Sequence, residues 1–436
     1  MAHDTHTAAP ARRLRLPPAF NYPAYRVYWG GSLASILGYQ VFLFSQFNLV
    51  HHLTGSAAFI GLTGAASAVP SIFLNLYGGV VADRIDRRRL LLATQTMNAI
   101  VMGLLGALTF AGRVEPWHVV AVSFVSGAVF AFDNPARQSL YPRLVAREAL
   151  TSAVAFQSVI WQGTRMVGPG VAGLIVANVG GDETLGLAAG FYFAAAGFFV
   201  MALALTRLRI PGGDNQTGAG SSGMQALAEG LRFIRADSIV LFLILMSFAN
   251  AFFGGAHLIL MPAIASDVLG VGRDLQGWLL AAGGAGALSV TLIVGTRRRV
   301  RAPAAMIIGG ATLYGLLVAA FALTAEWVGS YPLALVLVLA MGVTQSAYMV
   351  TIMSSLMMAT PDRMRGRVMG VFGITYAMLP LSGLQAGVLA EFIGVPMALA
   401  IGGFIVSFIA VAFAAANPKI RALGHRQRES QAAAAG

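Results

Sequence analysis

Twelve long apolar runs, separated by charged or turn-forming residues, dominate the hydrophobic pattern of this 436-residue chain. The runs are too long for transmembrane strands, which need about ten residues of alternating polarity. Helices are expected instead, because lipid leaves open backbone groups without hydrogen-bond partners. The fold class predicted is therefore an all-α polytopic membrane protein with twelve transmembrane helices. The predicted spans lie at about 28–50, 57–82, 90–111, 117–135, 151–178, 185–206, 238–262, 275–296, 303–325, 332–358, 368–390 and 396–416.

The longest hydrophilic interval, residues 207–236, divides these spans into six and six. Its first part is rich in Gly, Ser and Asn, which is typical of a flexible linker. Its second part, about Met224–Arg235, predicts a short amphipathic helix on the membrane surface. Equal sets of spans suggest a duplicated transporter. We expect an N-terminal six-helix half (1–206), a cytoplasmic linker (207–236) and a C-terminal six-helix half with a cytoplasmic tail (237–436).

Composition narrows the class of protein further. Hydrophobic residues make up 57% of the chain and charged residues 11%, against about 45–50% and 25% in soluble domains. A soluble enzyme and a disordered chain are excluded on this ground, and the absence of cysteine excludes a disulfide scaffold. Nothing in the sequence points to a metal site or a cofactor.

The net charge of +12 is a signal of membrane topology. With the N-terminus inside, 26 of the 29 basic residues, Arg137 among them, fall in seven cytoplasmic segments. Only Arg113 and Arg273 fall in outside loops, and Arg165 lies inside a span. Basic residues accumulate on the cytoplasmic side of membrane proteins, so we expect a multi-pass protein of the plasma (inner) membrane with both termini cytoplasmic. A nucleic-acid partner is not expected, because such a site gathers its charge on one face.

Polar and small side chains inside the spans predict which faces of the helices line a cavity and which pack on other helices. Polar residues are costly in lipid and face either a cavity or another helix, and interhelical hydrogen bonding is the alternative to a cavity for each of them. Gly383 and Gly387, four residues apart, predict close helix packing, as does the Gly-rich stretch 281–286. The candidates for lining a substrate cavity are Gln40, Gln46, Asn75, Gln162, Asn250, Gln345 and Gln385.

The loop after the second run carries the strongest local motif, Gly-Gly-Val-Val-Ala-Asp-Arg-Ile-Asp-Arg-Arg-Arg over residues 78–89. Topology explains its arginines but not Asp83, four residues after Gly79. An acid at this position can pair with arginine or lie at the positive N-terminus of a neighbouring helix in one conformation and not in another. The candidate residues of a conformational latch are Gly79, Asp83, Arg84, Arg87 and Arg88.

This loop resembles the signature loop of the major facilitator superfamily, in which the acid and the arginines stabilise the outward-facing state. The chain has Asp86 where glycine is common, and this version resembles the branch that contains enterobactin-type exporters and macrolide efflux proteins. Further matches to that branch are Tyr25–Trp29, Leu53–Ser56 and Asp133–Arg137. The resemblance covers about residues 20–420. It implies the major facilitator fold and leaves the substrate open.

The fifth run contains Gly168, Pro169 and Gly173. Proline removes a backbone donor and bends a helix. The segment is similar to the Gly-Pro-x-x-x-Gly motif of superfamily antiporters, which is associated with export, although Ala172 stands where that motif prefers glycine. A simple packing kink is the alternative, since membrane helices tolerate proline.

Three ionisable residues in or near the spans are candidates for proton coupling: Asp133, Arg165 and His257. Arg165 is alternatively a site for an anionic substrate or a cap for the carbonyls that Pro169 frees. Asp133 alternatively lies at the cytoplasmic mouth and pairs with Arg137, and His257 is alternatively a hydrogen-bonded structural residue. The intramembrane arginine motif that the family usually has in its fourth span is absent.

Motifs of other functional classes are missing. The single lysine, Lys419, stands in no phosphate-binding loop, which excludes an ATP-driven pump within this chain. The sequence shows no catalytic motif of a membrane enzyme and no channel filter. We expect a proton-coupled exporter of a medium-sized amphipathic compound (drug, macrolide or siderophore-like), working by alternating access as a monomer in the lipid bilayer. The alternative is a transporter-like membrane receptor or assembly protein without transport.

Overall fold

The computed structural model describes residues 17–179, 181–208, 223–296 and 303–416, and this part of the chain is helical with no strand. The prediction of an all-α protein is confirmed. The N-terminal group of helices comprises α1 (Pro23–Thr54), α2 (Ala57–Arg84), α3 (Arg87–Phe110), α4 (Pro116–Leu140), α5 (Leu150–Asn178) and α6 (Glu183–Arg207). A separate helix, α7 (Gly223–Ala236), follows. The C-terminal group comprises α8 (Ser238–Ala249), α9 (Ala256–Ile259), α10 (Met261–Ala263), α11 (Arg273–Thr296), α12 (Pro303–Trp327), α13 (Tyr331–Ala359), α14 (Asp362–Gly373), α15 (Thr375–Ile393) and α16 (Val395–Ala416).

Ten helical stretches within the described ranges are long and apolar enough to cross a membrane. The two remaining predicted spans correspond to α5 and α11, which are 29 and 24 residues long. Gln157, Gln162 and Arg165 make α5 more polar than a typical membrane-crossing helix. Each predicted span is therefore helical, and ten of them qualify as membrane spans by length and composition.

Side-chain caps explain where several helices begin. Asp86 accepts a hydrogen bond from the Arg89 backbone N–H (2.8 Å) at the start of α3. Asp182 accepts one from Thr184 (3.1 Å) before α6, and Asp237 accepts one from Ile239 (2.8 Å) before α8. Such caps satisfy N–H groups that have no partner within the helix. The Asp86 that departs from the family pattern therefore has a local structural role.

The predicted span 238–262 is not one continuous helix. A π-helical turn at Asn250–Gly254 follows α8, and a second π turn at Ile264–Val268 follows α9 and α10. Pro262 contributes to the interruption because it lacks the N–H that a regular helix needs. The carbonyl of Gly254, inside the first turn, is satisfied by the Tyr314 hydroxyl (2.9 Å).

The predicted span 368–390 also differs from the structure. Its helix begins earlier, at Asp362, and is broken at Ile374 between α14 and α15. α14 carries the basic residues of this region, whereas α15 is the apolar part. The apolar pattern therefore located only the second of the two helices.

The loops lie at two ends of the helix bundle. At one end Arg88 donates to the Leu205 carbonyl (2.6 Å), and the Ala19 N–H contacts the Ser152 hydroxyl (3.3 Å). We call it the arginine-rich end. At the opposite end, which we call the far end, the rings of Phe59 and Trp117 lie 5.7 Å apart. The far end includes the ends of helices near residues 54–58, 178–183, 268–275 and 391–394.

The linker helix α7 lies at the arginine-rich end against the C-terminal group. Its Ile234 is buried in an apolar cluster with Val240 of α8 and Val368 of α14, and Glu229 forms an ion pair with Arg367. The helix predicted for the linker thus packs on protein. The predicted flexible part, residues 209–222, lies outside the described residues.

The two groups of helices meet where α2 packs on α15 and α5 packs on α11. Glycines let the backbones approach closely at both contacts. A Cβ atom at Gly61 of α2 would overlap the carbonyl oxygen of Gly383 in α15. A Cβ atom at Gly277 of α11 would lie 2.6 Å from the carbonyl oxygen of Pro169 in α5. Of the glycines predicted to pack closely, Gly387 and Gly284 would place a Cβ atom against helices of the other group, at Ala57 and Met166. A Cβ atom at Gly383, Gly283 or Gly286 would meet helices of their own group.

Candidate functional site

Two histidines, two acids and an arginine join the groups at the far end. His51 Nε2 lies 3.0 Å from Asp267 Oδ1, so α1 contacts the second π turn. Glu183, at the start of α6, lies between Arg273 Nε (2.5 Å) and His52 Nδ1 (3.5 Å). The His51–Asp267 and Glu183–Arg273 contacts link helices of different groups and close the far end of the interface, whereas His52–Glu183 stays within the N-terminal group.

Glu391 strengthens this closure at the end of α15. Its Oε1 accepts hydrogen bonds from the Ser56 hydroxyl (2.5 Å) and from the Ala58 backbone N–H (3.1 Å). The cross-group hydrogen bonds and ion pairs identified between described residues all lie at the far end. Among the described residues, the polar contacts that join the two groups therefore gather at the far end.

Asp133 lies inside α4 in a buried network that connects three helices. Its Oδ2 accepts from Arg137 Nε (2.7 Å), and its Oδ1 accepts from Thr94 (2.8 Å) and Gln95 (2.5 Å) of α3. Arg137 in turn donates to Ser35 of α1 at 2.9 Å. Both charges are thus paired and surrounded by polar groups, as a buried ion pair requires.

Arg137 differs from the sequence-based prediction, which placed it on the cytoplasmic surface. It is only 4% exposed and lies within an apolar stretch that can cross the membrane. The physical reason is its position four residues after Asp133, which puts both side chains on one face of α4. Pairing with Asp133 was one of the sequence-based alternatives, and the structure shows that the pair is buried rather than at the surface.

Arg165 lies midway along α5 in a different environment. It is exposed to solvent although protein surrounds it closely, which is the environment of a residue in a deep cleft. No carboxylate of a described residue forms an ion pair with it. Tyr376 of α15, 66% exposed, lies near it. Of its predicted alternatives, capping of carbonyls freed by Pro169 has no support, since no such hydrogen bond joins described residues.

Aromatic side chains form a wall beside Arg165. Tyr39 of α1 stacks on Phe130 of α4, with ring centroids 5.8 Å apart and planes 13° apart. Trp161 of α5 contacts Phe130 edge to face at 6.5 Å. Trp161 and Arg165 are four residues apart, so they share one face of α5. The three rings also line a small pocket above the Asp133–Arg137 pair.

His257 lies in a buried polar region of the C-terminal group. Its Nδ1 contacts the Gly254 carbonyl at 2.9 Å, and its ring lies near the ring of Tyr314. Gln345 Nε2 lies 3.4 Å from the Tyr314 hydroxyl. Asn250 is buried, and neither polar atom of its side chain has a partner among the described residues. The structure therefore brings together His257, Asn250 and Gln345, away from Asp133.

The other cavity candidates fall into different environments. Gln46 is buried and accepts a hydrogen bond from Ser123 of α4 (2.6 Å), so in this conformation it joins two helices. Gln40, Gln162 and Gln385 are partly exposed. The side chain of Asn75 lies outside the described part of the chain.

The predicted kink of α5 coincides with contacts to both of its neighbours. A Cβ atom at Gly168 would lie 2.5 Å from Cβ of Gln40 in α1. A Cβ atom at Gly173 would lie 2.5 Å from the carbonyl oxygen of Arg273. The glycines around Pro169 therefore let α5 fit between α1 and α11.

The candidate latch is described only in part. Gly79, Asp83 and Arg84 belong to the end of α2, but their side chains lie outside the description. Arg88 donates to the carbonyls of Leu205 (2.6 Å) and Thr206 (2.7 Å), which caps the end of α6 within the N-terminal group. Arg87 is the first residue of α3.

The helical bundle, its interrupted helices and the one-sided joining of its two groups define a membrane transporter of the major facilitator type. A bacterial homologue of the human lysosomal transporter Spinster superposes with a TM-score of 0.70, at 14% identity, over 92% of this chain and 96% of its own. That likeness concerns the fold.

The chain belongs to the transmembrane secretion effector family of this superfamily, which it matches over residues 16–434. The multidrug efflux pump Tap of Mycolicibacterium fortuitum is 25% identical over 354 residues, covering 79% of this chain and 84% of that pump. The staphyloferrin A transporter of Staphylococcus aureus is 31% identical over 141 residues, covering 32% of this chain and 36% of that transporter. The protein is a multi-pass membrane transporter of the efflux or secretion type, and the resemblance seen in its sequence is confirmed.

Proposed function

We propose that the protein is a secondary active exporter that moves a medium-sized amphipathic compound by alternating access. In this proposal the two groups of helices are six-helix halves, and α5 and α11 cross the membrane together with the ten other spans. The observation that carries the proposal is the one-sided joining of the two groups at the far end. The names of the two relatives support a drug-like or siderophore-like cargo.

The arginine-rich end is the cytoplasmic end in this proposal, because basic residues accumulate on that side of a membrane. Both termini are then cytoplasmic, and the protein resides in the plasma membrane as a monomer. The cleft of the present conformation opens to the cytoplasm, which is the state in which an exporter takes up its cargo. The far-end contacts break when the cleft opens to the outside.

We assign proton coupling to Asp133 rather than to Arg165 or His257. Asp133 is the described acid that lies within the interior of a span, and Arg137 is its counter-ion. Taking up a proton on Asp133 requires this pair to separate, so protonation and a rearrangement of α4 are linked. The present conformation, with the pair intact, corresponds to the state that has released its proton.

The loop after α2 serves in this proposal as a latch for the opposite conformation. Asp83, with Arg84, Arg87 and Arg88, would join the two halves when the cytoplasmic side is closed. In the present state Arg88 holds α6 of its own group, which leaves that interface free to open.

Cross-linking of the far end tests alternating access directly. The chain has no cysteine, so introduced cysteines react without background. In the double variant Ser56→Cys/Glu391→Cys the two positions are joined by a hydrogen bond of 2.5 Å in the native protein. A short bifunctional thiol reagent is expected to stop dye efflux from proteoliposomes almost completely, because the far end is then locked shut.

The matched control is Phe59→Cys/Trp117→Cys, a pair of adjacent residues at the same end within one group. Its cross-linking should leave efflux unchanged. Efflux that persists in the cross-linked Ser56/Glu391 pair contradicts alternating access, and efflux that ignores a collapsed proton gradient contradicts proton coupling. A protein that moves no compound but binds a partner in response to a ligand supports the receptor alternative.

A further inference from the structure

The interior of the membrane-spanning helices has an unusual balance of charge. Among the described side chains, Asp133 and Arg137 pair with each other and are each 4% exposed. His257 is also only 4% exposed. The remaining charged side chain of the interior is Arg165, which is accessible from the cleft. The accessible charge of the cleft is therefore positive, with no described acid to offset it.

An unpaired arginine in this position needs a partner. Intramembrane charges are costly, and they are retained where they serve a substrate or ion pathway. The guanidinium group donates several hydrogen bonds in a planar arrangement that matches the two oxygens of a carboxylate or a phosphate. Solvent in the cleft meets this need when no cargo is bound. An anionic cargo replaces that solvent with a stronger, charge-assisted contact.

The surroundings of Arg165 are suited to a flat apolar group. Trp161 lies one turn away on the same face of α5, and its ring belongs to the wall that it forms with Phe130 and Tyr39. Aromatic rings stack on flat apolar groups at distances like those within this wall. Tyr376 adds a hydroxyl group on the C-terminal side of the cleft.

We propose that the cleft selects amphipathic anions, with Arg165 binding the anionic group and the wall of Tyr39, Phe130 and Trp161 binding an aromatic or flat apolar part. This inference rests on the proposed function, because it names the class of cargo for the same cleft. Cationic amphiphiles are disfavoured here, because the accessible charge is of the same sign and the described interior offers them no free acid.

Three probes with one aromatic frame test this selectivity: anionic pyrenebutyrate, uncharged pyrenebutyramide and cationic pyrenebutylamine. Their binding is measured by fluorescence on the full-length protein in nanodiscs, with the signal of empty nanodiscs subtracted. We expect the wild-type protein to bind the anion at least about tenfold more tightly than the cation, because binding sites discriminate strongly between charges of opposite sign. Equal binding of anion and cation by the wild type overturns the proposal.

Variants of Arg165 assign the effect to this residue. Arg165→Gln should weaken binding of the anion about tenfold and leave binding of the amide unchanged, and Arg165→Lys should retain part of the preference because it keeps the charge but loses the planar donor set. The matched control is Arg113→Gln, which removes the same charge from an exposed position at the far end. An anion preference that survives in Arg165→Gln contradicts the assignment.

Two further measurements separate the possible failures. Removing an unpaired interior charge lowers the cost of membrane insertion, so Arg165→Gln should be produced as a monodisperse protein, and Arg165→Lys reports on the site independently. The same probes are then tested for efflux from proteoliposomes. Anion binding without efflux contradicts the transport proposal and leaves the cargo class standing, whereas efflux without preference for the anion contradicts only the cargo class.

Discussion

The interface between the two groups of helices differs between the far end and the arginine-rich end of the bundle. At the far end, side chains from both groups pair with each other, as in His51–Asp267 and Glu183–Arg273. At the arginine-rich end, the described pairs stay within a group or bind it to α7, as in Arg88–Leu205 and Glu229–Arg367. The difference shows which contacts hold each group together and which hold one group against the other.

The two kinds of contact also differ in burial. The pair Asp133–Arg137 within the N-terminal group has side chains that are 6% and 5% exposed. In the far-end pairs only one partner is more exposed: Asp267 (53%) against His51 (6%), and Glu183 (35%) against Arg273 (11%). Exposed ion pairs contribute only about 0–1 kcal/mol each. Breaking a buried pair by removing one partner costs about 3–5 kcal/mol. The weaker far-end pairs suit an interface that opens in every cycle, whereas the buried pair separates only when Asp133 takes up a proton.

The largest effect is expected from breaking the buried pair. Asp133→Asn leaves the Arg137 charge without a counter-ion and should destabilise the N-terminal group by about 3–5 kcal/mol. The measurement is the thermal unfolding and the monodisperse fraction of the purified protein. The double variant Asp133→Asn/Arg137→Gln should recover most of the loss. A single variant that unfolds at the wild-type temperature shows that the pair does not hold the group together.

A second prediction concerns the close approach of α2 and α15. Gly61→Ala puts a Cβ atom onto the backbone of Gly383, so the far end cannot close as observed. We expect efflux to fall at least about fivefold, since helix contacts of this kind depend on the absence of a side chain. Labelling of Ser56→Cys by a membrane-impermeant thiol reagent should rise in the same background.

The control for this prediction is Gly163→Ala in α5. A Cβ atom there meets no described atom within 4 Å, and alanine favours a helix over glycine. Efflux of this variant should stay within about twofold of the wild type. Equal effects of both substitutions would point to helix propensity rather than to far-end packing.

The smallest effect is expected from a single exposed pair. Glu183→Gln removes the contacts with His52 and Arg273 and should shift the equilibrium toward far-end opening by about two- to fivefold, as exposed ion pairs of up to about 1 kcal/mol allow. The labelling rate of Ser56→Cys measures this shift. Glu326→Gln, an exposed acid in the last turn of α12, is the control. High salt should reduce the difference between wild type and Glu183→Gln, because it screens the native pair.

The helices were predictable because each apolar run is a local signal. Asp86, Asp182 and Asp237 mark three helix starts that follow from neighbouring residues alone. The break at Ile374 was not predicted, because the basic residues of α14 mask its helical signal and it runs into the apolar helix α15. Its position depends on the packing of α14 and α15 against other helices.

The candidate site was predictable only in part. Asp133 and Arg165 stand out in the sequence as charges within or near apolar runs, but their different environments are set by α1, α3 and α15. His51 and Asp267 are separated by 216 residues, and nothing near either of them in the sequence signals the contact. The Asp133–Arg137 pairing was among the alternatives for Asp133, but Arg137 was placed at the cytoplasmic surface because it lies near the end of its run, so its burial was not predicted.

The spacing of the Asp133–Arg137 pair has a consequence for biosynthesis. The partners lie four residues apart on one helix, so their charges can neutralise each other as soon as α4 has formed. The segment then enters the lipid as an almost neutral unit, and the high cost of inserting a lone charge is avoided. The His51–Asp267 contact cannot form this early, because Asp267 is synthesised only after the whole N-terminal group. The nascent chain can therefore complete its buried ion pair long before the far-end pairs exist.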